Sequence, residues 1–364
     1  SKNFAIPPVV YRFGRRSFVL KDLEDIEIDG QGATFVFALR GGRVHLQSCR
    51  NVKLKNLFLD MDHPPFIQGT IRAIDQAKRT IDFSVDDGLP SLDQAAFPPG
   101  KVRHVIMDPQ GTWELPLPDA IHGLPTEVKP GLLRANPSRL FTDGDLPFDV
   151  GGKIVLNMRG SGGGVSVSSS SGITLEDVVV HAAGSFAFHE SGRSDGGNVY
   201  RRCKLVPRPG SPSIWAGAAD GFHSMNQRRG PHLVDCELSW AFDDLINIHG
   251  FINLVIERPA PDQLLLAGPF ERDFDVGDTL KFYRYPNAVP AGEAVVTEVA
   301  PLAEPSRKDV ERRARAYFAA ANKHNPVRSF PGSQPCLVKL DRPVDLKEFN
   351  LAVSSAYSGR GAVI

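Results

Sequence analysis

The sequence predicts an all-β protein: a right-handed parallel β-helix, a solenoid of stacked coils, interrupted by two inserted small β-barrel modules. Three observations carry this expectation. Short segments that alternate apolar and polar residues recur, separated by Gly, Asn and Ser turns, as the coils of such a solenoid do. Gly and Pro number 34 and 29 in 364 residues, which fits a fold with many turns and little helix. Two stretches, at about 61–157 and 251–348, are too long for solenoid turns and carry strands of their own.

In chain order, Ile26-Glu27-Ile28-Asp29-Gly30-Gln31-Gly32-Ala33-Thr34-Phe35 reads as an early coil. Asn51-Val52-Lys53-Leu54-Lys55-Asn56-Leu57-Phe58-Leu59-Asp60 repeats its alternation, so residues 1–60 are assigned to N-terminal coils. The first interruption, 61–157, is the first inserted barrel module. Residues 158–250 return to coils, through Gly172-Ile173-Thr174-Leu175-Glu176-Asp177-Val178-Val179-Val180, Gly197-Asn198-Val199-Tyr200-Arg201-Arg202-Cys203-Lys204-Leu205-Val206 and Pro231-His232-Leu233-Val234-Asp235-Cys236-Glu237-Leu238. Each such coil buries its inward row only by stacking on its neighbours.

The second module, 251–348, shares a phrase with the first: Phe148-Asp149-Val150-Gly151-Gly152-Lys153-Ile154-Val155-Leu156 against Phe274-Asp275-Val276-Gly277-Asp278-Thr279-Leu280-Lys281-Phe282. A turn feeding a strand, used twice, points to related modules, with chance similarity as the rival. The one helix expected runs from Ser306 to about Asn322, its charges on a solvated face. Residues 349–364 look like a return to the solenoid that stops mid-coil, as in a truncated chain.

Composition narrows the function classes. Lys+Arg and Asp+Glu balance at 42 each, so no net field favours nucleic acid or an anionic membrane. No run of about 18 apolar residues is present to make a spanning helix. The chain opens at Ser1-Lys2-Asn3 without a charged-then-apolar leader; the compartment stays open, with secretion or the periplasm favoured after leader removal. Cys49, Cys203, Cys236 and Cys336 form no CxxC pair, and no His cluster has zinc spacing, so no metal or cofactor is expected. Cys49, Cys203 and Cys236 sit in equivalent contexts and read as packing residues near coil turns rather than as disulfides.

The chemistry concentrates in Ala219-Asp220-Gly221-Phe222-His223 and, about two dozen residues on, Phe242-Asp243-Asp244-Leu245-Ile246-Asn247-Ile248-His249-Gly250. In a solenoid, equivalent residues of adjacent coils lie roughly 4.8 Å apart, so Asp220 is expected beside the Asp243–Asp244 pair. Carboxylates packed so closely do not all stay ionised, and at least one is expected to hold its proton more tightly. A mixed protonated and ionised set is what glycosidic bond cleavage needs. One such Asp often only caps a turn. Three in adjacent coils, two of them consecutive, favour a functional cluster.

Phe188-His189, Phe222-His223 and Ile246-Asn247 fall at equivalent places, giving a ladder of His189, His223 and Asn247 that can bond sugar hydroxyls or set a carboxyl's protonation. A ladder that only satisfies turns is the plain alternative; His249 is a weaker candidate. Trp215 and Trp240 bracket the acidic motifs as platforms for a sugar ring, or as ordinary packing. Gly192-Arg193-Ser194-Asp195-Gly196 matches the nucleophile-elbow pattern but leads to another strand, not to the helix an elbow needs. Gly160-Ser161-Gly162-Gly163-Gly164 lacks the Lys-Ser/Thr ending of a phosphate loop.

At these residues the sequence resembles glycoside hydrolase family 110, exo-acting α-1,3-galactosidases built on a β-helix with inserted barrels. The resemblance runs through Asn51 to Asp60, Val206-Pro207-Arg208-Pro209-Gly210-Ser211 and Ala219 to His223, and is strongest from Phe242 to Gly250. It implies that the essential acids are Asp220, Asp243 and Asp244, that the anomeric configuration is inverted and that no metal takes part. The segment Met61-Asp62-His63-Pro64-Pro65 departs from the family pattern, so a relative acting on another terminal sugar fits as well. The acidic pattern is also similar to that of polygalacturonases, whose Gly-His-Gly and Arg-Ile-Lys phrases are absent here.

The function expected is therefore an inverting exo-glycosidase for the non-reducing end of a glycan, acting on a terminal α-galactoside-like sugar. Asp220 and Asp244 are the candidates for acid and base, without an assignment of which is which, and Asp243 is the third member. The alternatives are a β-helix polysaccharide lyase or epimerase, for which Arg201 or Arg228 would have to supply a cation, and a glycan-binding module without turnover. The oligomeric state is left open.

Overall fold

The computed structural model describes residues 2–91, 103–109, 124–136, 149–157, 159–160, 162–268, 272–285, 287–302, 306–321, 335–347 and 350–364. Described residues are nearly all strand and turn, with a single helix. The N-terminal and central segments build two long parallel ladders. In the first, Glu24–Phe37, Arg50–Met61, Thr174–Val180, Val199–Arg201 and His232–Val234 pair in that order. Register sets Ile28, Leu54, Leu175, Tyr200 and Leu233 side by side, all buried, while the intervening Lys53 and Glu176 face outward and pair with one another. The period-2 pattern thus becomes an inward apolar row.

The second ladder joins Phe18–Lys21, Val44–Gln47, Val165–Ser168, Phe188–Ser191, Phe222–Met225 and Ile246–His249. Its inward row, Val44, Val165, Phe188 and Phe222, closes with the first ladder on one apolar core. Burying each such side chain contributes about 1.5–3 kcal/mol, so the core is a property of the stack and not of any single coil. The cysteines are all free thiols. Cys49, Cys203 and Cys236 take the same place in three coils, their Sγ atoms reaching Leu20 O, Leu175 O and Tyr200 O at 3.4, 3.5 and 3.3 Å.

The first interruption leaves the stack after Met61. It forms a six-stranded antiparallel sheet in the order Thr126–Lys129, Leu132–Ala135, Thr80–Val85, Phe66–Asp75, Lys153–Asn157, Arg103–Met107. Among the described residues this sheet is open, where the sequence reading expects a barrel. The second interruption is a closed six-stranded barrel: Ile252–Ala260, Gln263–Ala267, Cys336–Leu340, Val289–Pro301, Thr279–Arg284 and Leu351–Ser354. Helix Ser306–Ala321 packs Val310 and Ala314, one turn apart, against Leu254, Ile256 and Leu265 of the barrel. Asn322, at its expected end, lies outside the described residues.

One boundary differs from the sequence reading. Leu351–Ser354 looks like a returning coil but closes the barrel between Ile252–Ala260 and Thr279–Arg284. Its alternation suits either ladder, because period 2 reports a strand's two faces and not its partner. The chain rejoins the stack only beyond it, through parallel bridges Arg229↔Arg360 and His232↔Val363.

The shared phrase is the same turn twice. Gly152 N bonds Asp149 O at 3.0 Å and Asp278 N bonds Asp275 O at 3.1 Å. Gly151 and Gly277 adopt φ of 94° and 93° at the matching corner, a conformation glycine alone takes without strain. Each turn feeds a strand, Lys153–Asn157 or Thr279–Arg284. Phe148, which opens the first phrase, lies outside the described residues.

Candidate active site

The acidic residues sit where each coil turns into the second ladder. Gly221 N bonds Asp244 O at 3.0 Å, Phe222 N bonds Leu245 O at 2.9 Å, and Gly217 bridges Ala241 in parallel. This register places Asp220 alongside Asp244, and Ala219 alongside Asp243. Both aligned carboxyls are braced from three residues downstream, by the outward residue of the strand that follows. Asp220 Oδ2 lies 2.6 Å from His223 Nδ1, and Asp244 Oδ2 accepts from Asn247 Nδ2 at 3.0 Å. Asp220 is 2% exposed, while Asp243 and Asp244 are exposed.

Asp243 takes a different partner. Arg159 Nη1 donates to its Oδ2 at 2.6 Å, from the chain returning out of the first module. The same guanidinium lies 5.7 Å from the centroid of the Phe186 ring. A cation is thus fixed at the rim of the acidic corner. Arg228 does not serve there, because Asp275 and Asp278 hold it, and Arg201 stands on the other ladder, opposite Glu176.

Register brings His189, His223 and Asn247 into one row. The row is not chemically uniform. Phe186 stands three residues before His189, where the next two coils carry Asp220 and Asp244. Its ring stacks on His223 with centroids 4.3 Å apart and lies 4.9 Å from His189. Neither ring nitrogen of His189 has a hydrogen-bond partner among the described residues. Burial, reinforced by the neighbouring His223, pushes the His189 pKa down to about 3, so its ring is neutral near pH 7. Behind this row, buried Glu190 accepts from Asn198, Tyr200 and Ser224; burial raises its pKa against those three bonds.

The two tryptophans separate. Trp215 is 1% exposed and packs with Phe66, Val105, Met107 and Val155 of the first module, its ring 4.8 Å from Phe242. The sequence reading of Trp215 as a sugar platform is therefore corrected: it fastens the module to the stack. Trp240 is 39% exposed, 5.3 Å edge-on from Trp215, and keeps an open face. The module is also pinned to this corner by polar bonds. Asn157 Nδ2 donates to Ala218 O at 2.8 Å, and Gln68 Oε1 accepts from Ile214 N at 2.8 Å.

Sequence reasoning missed Arg159 and Phe186 and underweighted His249. Phe186 had a signal, since Phe186-Ala187-Phe188-His189 aligns with Asp220-Gly221-Phe222-His223. Arg159 had none: it reaches Asp243 across 84 positions in the chain. His249 places Nε2 at 3.2 Å from His223 Nε2. Two sequence phrases that share the family resemblance also meet, as Arg208 Nη1 lies 3.2 Å from Oδ2 of the buried Asp60. Ser194 Oγ is engaged with Ser170 O and Gln227, which leaves the elbow-like phrase a coil turn. Among the described residues, no three His, Cys, Asp or Glu side chains are grouped to hold a metal ion.

No protein-family model matches the chain. Comparison with curated proteins finds α-1,3-galactosidases. The chain is 23% identical over 265 residues to α-1,3-galactosidase B of Bacteroides thetaiotaomicron, covering 68% of this chain and 42% of that protein. It is 23% identical over 301 residues to α-1,3-galactosidase A of Bacteroides fragilis, covering 77% and 48%. It is 27% identical over 270 residues to α-1,3-galactosidase A of Bacteroides thetaiotaomicron, covering 70% and 45%. The chain spans somewhat under half the length of these relatives. On these matches the chain is a distant relative of proteins named as α-1,3-galactosidases.

Proposed function

We propose that the parallel stack is a right-handed β-helix whose acidic corner hydrolyses a terminal α-galactoside-like sugar with inversion. In this reading, residues 1–60 and 158–250 are its coils, and 61–157 and 251–348 are modules inserted between them. A carboxylic acid protonates the glycosidic oxygen as the bond from C1 to that oxygen breaks. A carboxylate takes a proton from water as the water oxygen bonds C1 from the opposite face. The products are the free sugar in the inverted configuration and the shortened glycan. Asp220 and Asp244 are the candidates for the two roles. Asp243, fixed by Arg159, tunes or grips. His189, His223, Asn247 and Trp240 are the candidates for substrate contact.

The observation that carries the proposal is the register of Asp220 beside Asp244 with Asp243 at the rim. The names of the relatives supply the sugar and linkage class. The first module, docked on this corner through Trp215, Phe242 and Asn157, would wall off the groove and restrict it to chain ends. The test is sugar release from a panel of terminal α- and β-galactosides, galactosaminides and uronides. Asp220→Asn and Asp244→Asn should each lower kcat/KM by about 10²–10⁴. Release of unsaturated products from uronides would instead indicate a lyase. Glycan binding without turnover in wild type and variants would indicate a binding module.

A further inference from the structure

Asp220 is the end of a chain of three hydrogen bonds that leaves the acidic trio. Asp220 Oδ2 and His223 Nδ1 are 2.6 Å apart; His223 Nε2 and His249 Nε2 are 3.2 Å apart; His249 Nδ1 and Gly250 O are 2.8 Å apart. Each link needs one proton. A carbonyl oxygen only accepts, so the last proton is on His249 Nδ1. The middle link joins two nitrogens of the same kind and holds a proton only if one of them is protonated. The first link holds a proton on Asp220 or on His223 Nδ1. The chain therefore carries three protons, one more than a carboxylate and two neutral imidazoles.

We infer that Asp220, His223 and His249 share this additional proton as one unit, and that His249 is the positioning residue that sets the charge of the Asp220 carboxyl. The count balances in two ways: an ionised Asp220 with one imidazolium, or a protonated Asp220 with two neutral rings. Both are neutral overall, and movement of protons along the chain interconverts them. This gives the buried carboxyl a partner that takes up or returns its proton within the unit. The catalytic consequence rests on the hydrolase reading above; the proton count does not.

The surroundings favour the neutral unit. Phe186 covers one face of His223, and Phe251 stands 6.1 Å from His249. His189, its ring 5.7 Å from that of His223, is neutral and adds no repulsion. Farther along the row are His45, bonded to Ser168 Oγ, and Arg43, both of which act on His189. On the other side Asp244 is held by Asn247, and Asp243 is compensated by Arg159. Toward the barrel, Tyr357 bonds Asp275. An isolated buried carboxylate at Asp220 would cost far more than this compensated unit.

The experiment is nitrogen-15 NMR of the full chain labelled at histidine, near pH 7, on wild type, His249→Phe and His249→Gln. The expected result is an Nε2-bound proton within the His223–His249 pair of wild type, lost in His249→Phe and kept in His249→Gln, whose amide oxygen can accept. Two imidazoles protonated only at Nδ1 in wild type would overturn the inference, whether or not the variants fold. With a cleavable substrate in hand, one limb of the kcat/KM–pH profile should move to lower pH in His249→Phe by about one unit, the equivalent of one lost charge-assisted hydrogen bond. Unmoved limbs would count against the positioning role. Failure to cleave any substrate would remove the hydrolase reading, while the NMR result would still decide the proton.

Discussion

Acidification should loosen the first module, because it has a histidine sealed in its core. His104 lies on Arg103–Met107 opposite Leu156, on the same face as Ile106, and is 4% exposed. Neither ring nitrogen finds a hydrogen-bond partner among the described residues, and burial pushes its pKa down from 6.5 to about 4. The folded protein thus keeps the ring neutral through a pH range in which the unfolded chain protonates it. Stability falls as pH falls through this window, by about 1.4 kcal/mol per unit for one group. From pH 7.5 to pH 5 the loss works out to about 2 kcal/mol. His104→Leu, close in volume, removes the term. Urea denaturation of both proteins at the two pH values isolates it, since the other titrating groups cancel in the comparison. The variant should gain about 2 kcal/mol on the wild type on going to pH 5. A stability difference that stays the same at both pH values would show that His104 is protonated in the fold. The neighbouring Val105 and Met107 face the other way, onto Trp215, so this loosening reaches the acidic corner.

Two other changes test how the corner is assembled. Trp215→Ala should cost about 3–5 kcal/mol in denaturant unfolding, because a fully buried ring is removed between module and stack; a cost below about 1 kcal/mol would mean that the module docks without it. Arg159→Gln should change stability by no more than about 1 kcal/mol, as its pair with Asp243 is partly exposed. The same change should lower kcat/KM by about tenfold or more, since it frees Asp243, which the proposed mechanism needs positioned. Unchanged kinetics would remove Asp243 from the account.

The acidic corner was legible because two independent periodicities agree. Apolar residues every second position mark Phe222 and Ile246 as inward, and the spacing between the two strands then aligns Asp220 with Asp244 without further information. The braces His223 and Asn247 follow from the same frame. What was hidden depended on contacts between segments far apart in the chain. Nothing local to Trp215 distinguishes a sugar platform from a wedge under an inserted sheet, and burial settles it as the wedge. Arg159 arrives with the returning module, so its role depends on where that module docks. Leu351–Ser354 carries a strand pattern that a parallel stack and an antiparallel barrel accept equally, and only its partners show that it closes the barrel. The paired turn phrases were legible for a different reason: a glycine at the same corner of both turns is a requirement of backbone geometry, and it shows in the sequence.

The most direct test of the central claim is proton NMR of the sugar as it is first released from a terminal α-galactoside, recorded before mutarotation. β-Galactose is expected from the wild type, with release slowed by about 10²–10⁴ in Asp220→Asn and in Asp244→Asn. First appearance of α-galactose would contradict the inverting carboxyl pair, and undiminished release by either variant would place the chemistry elsewhere.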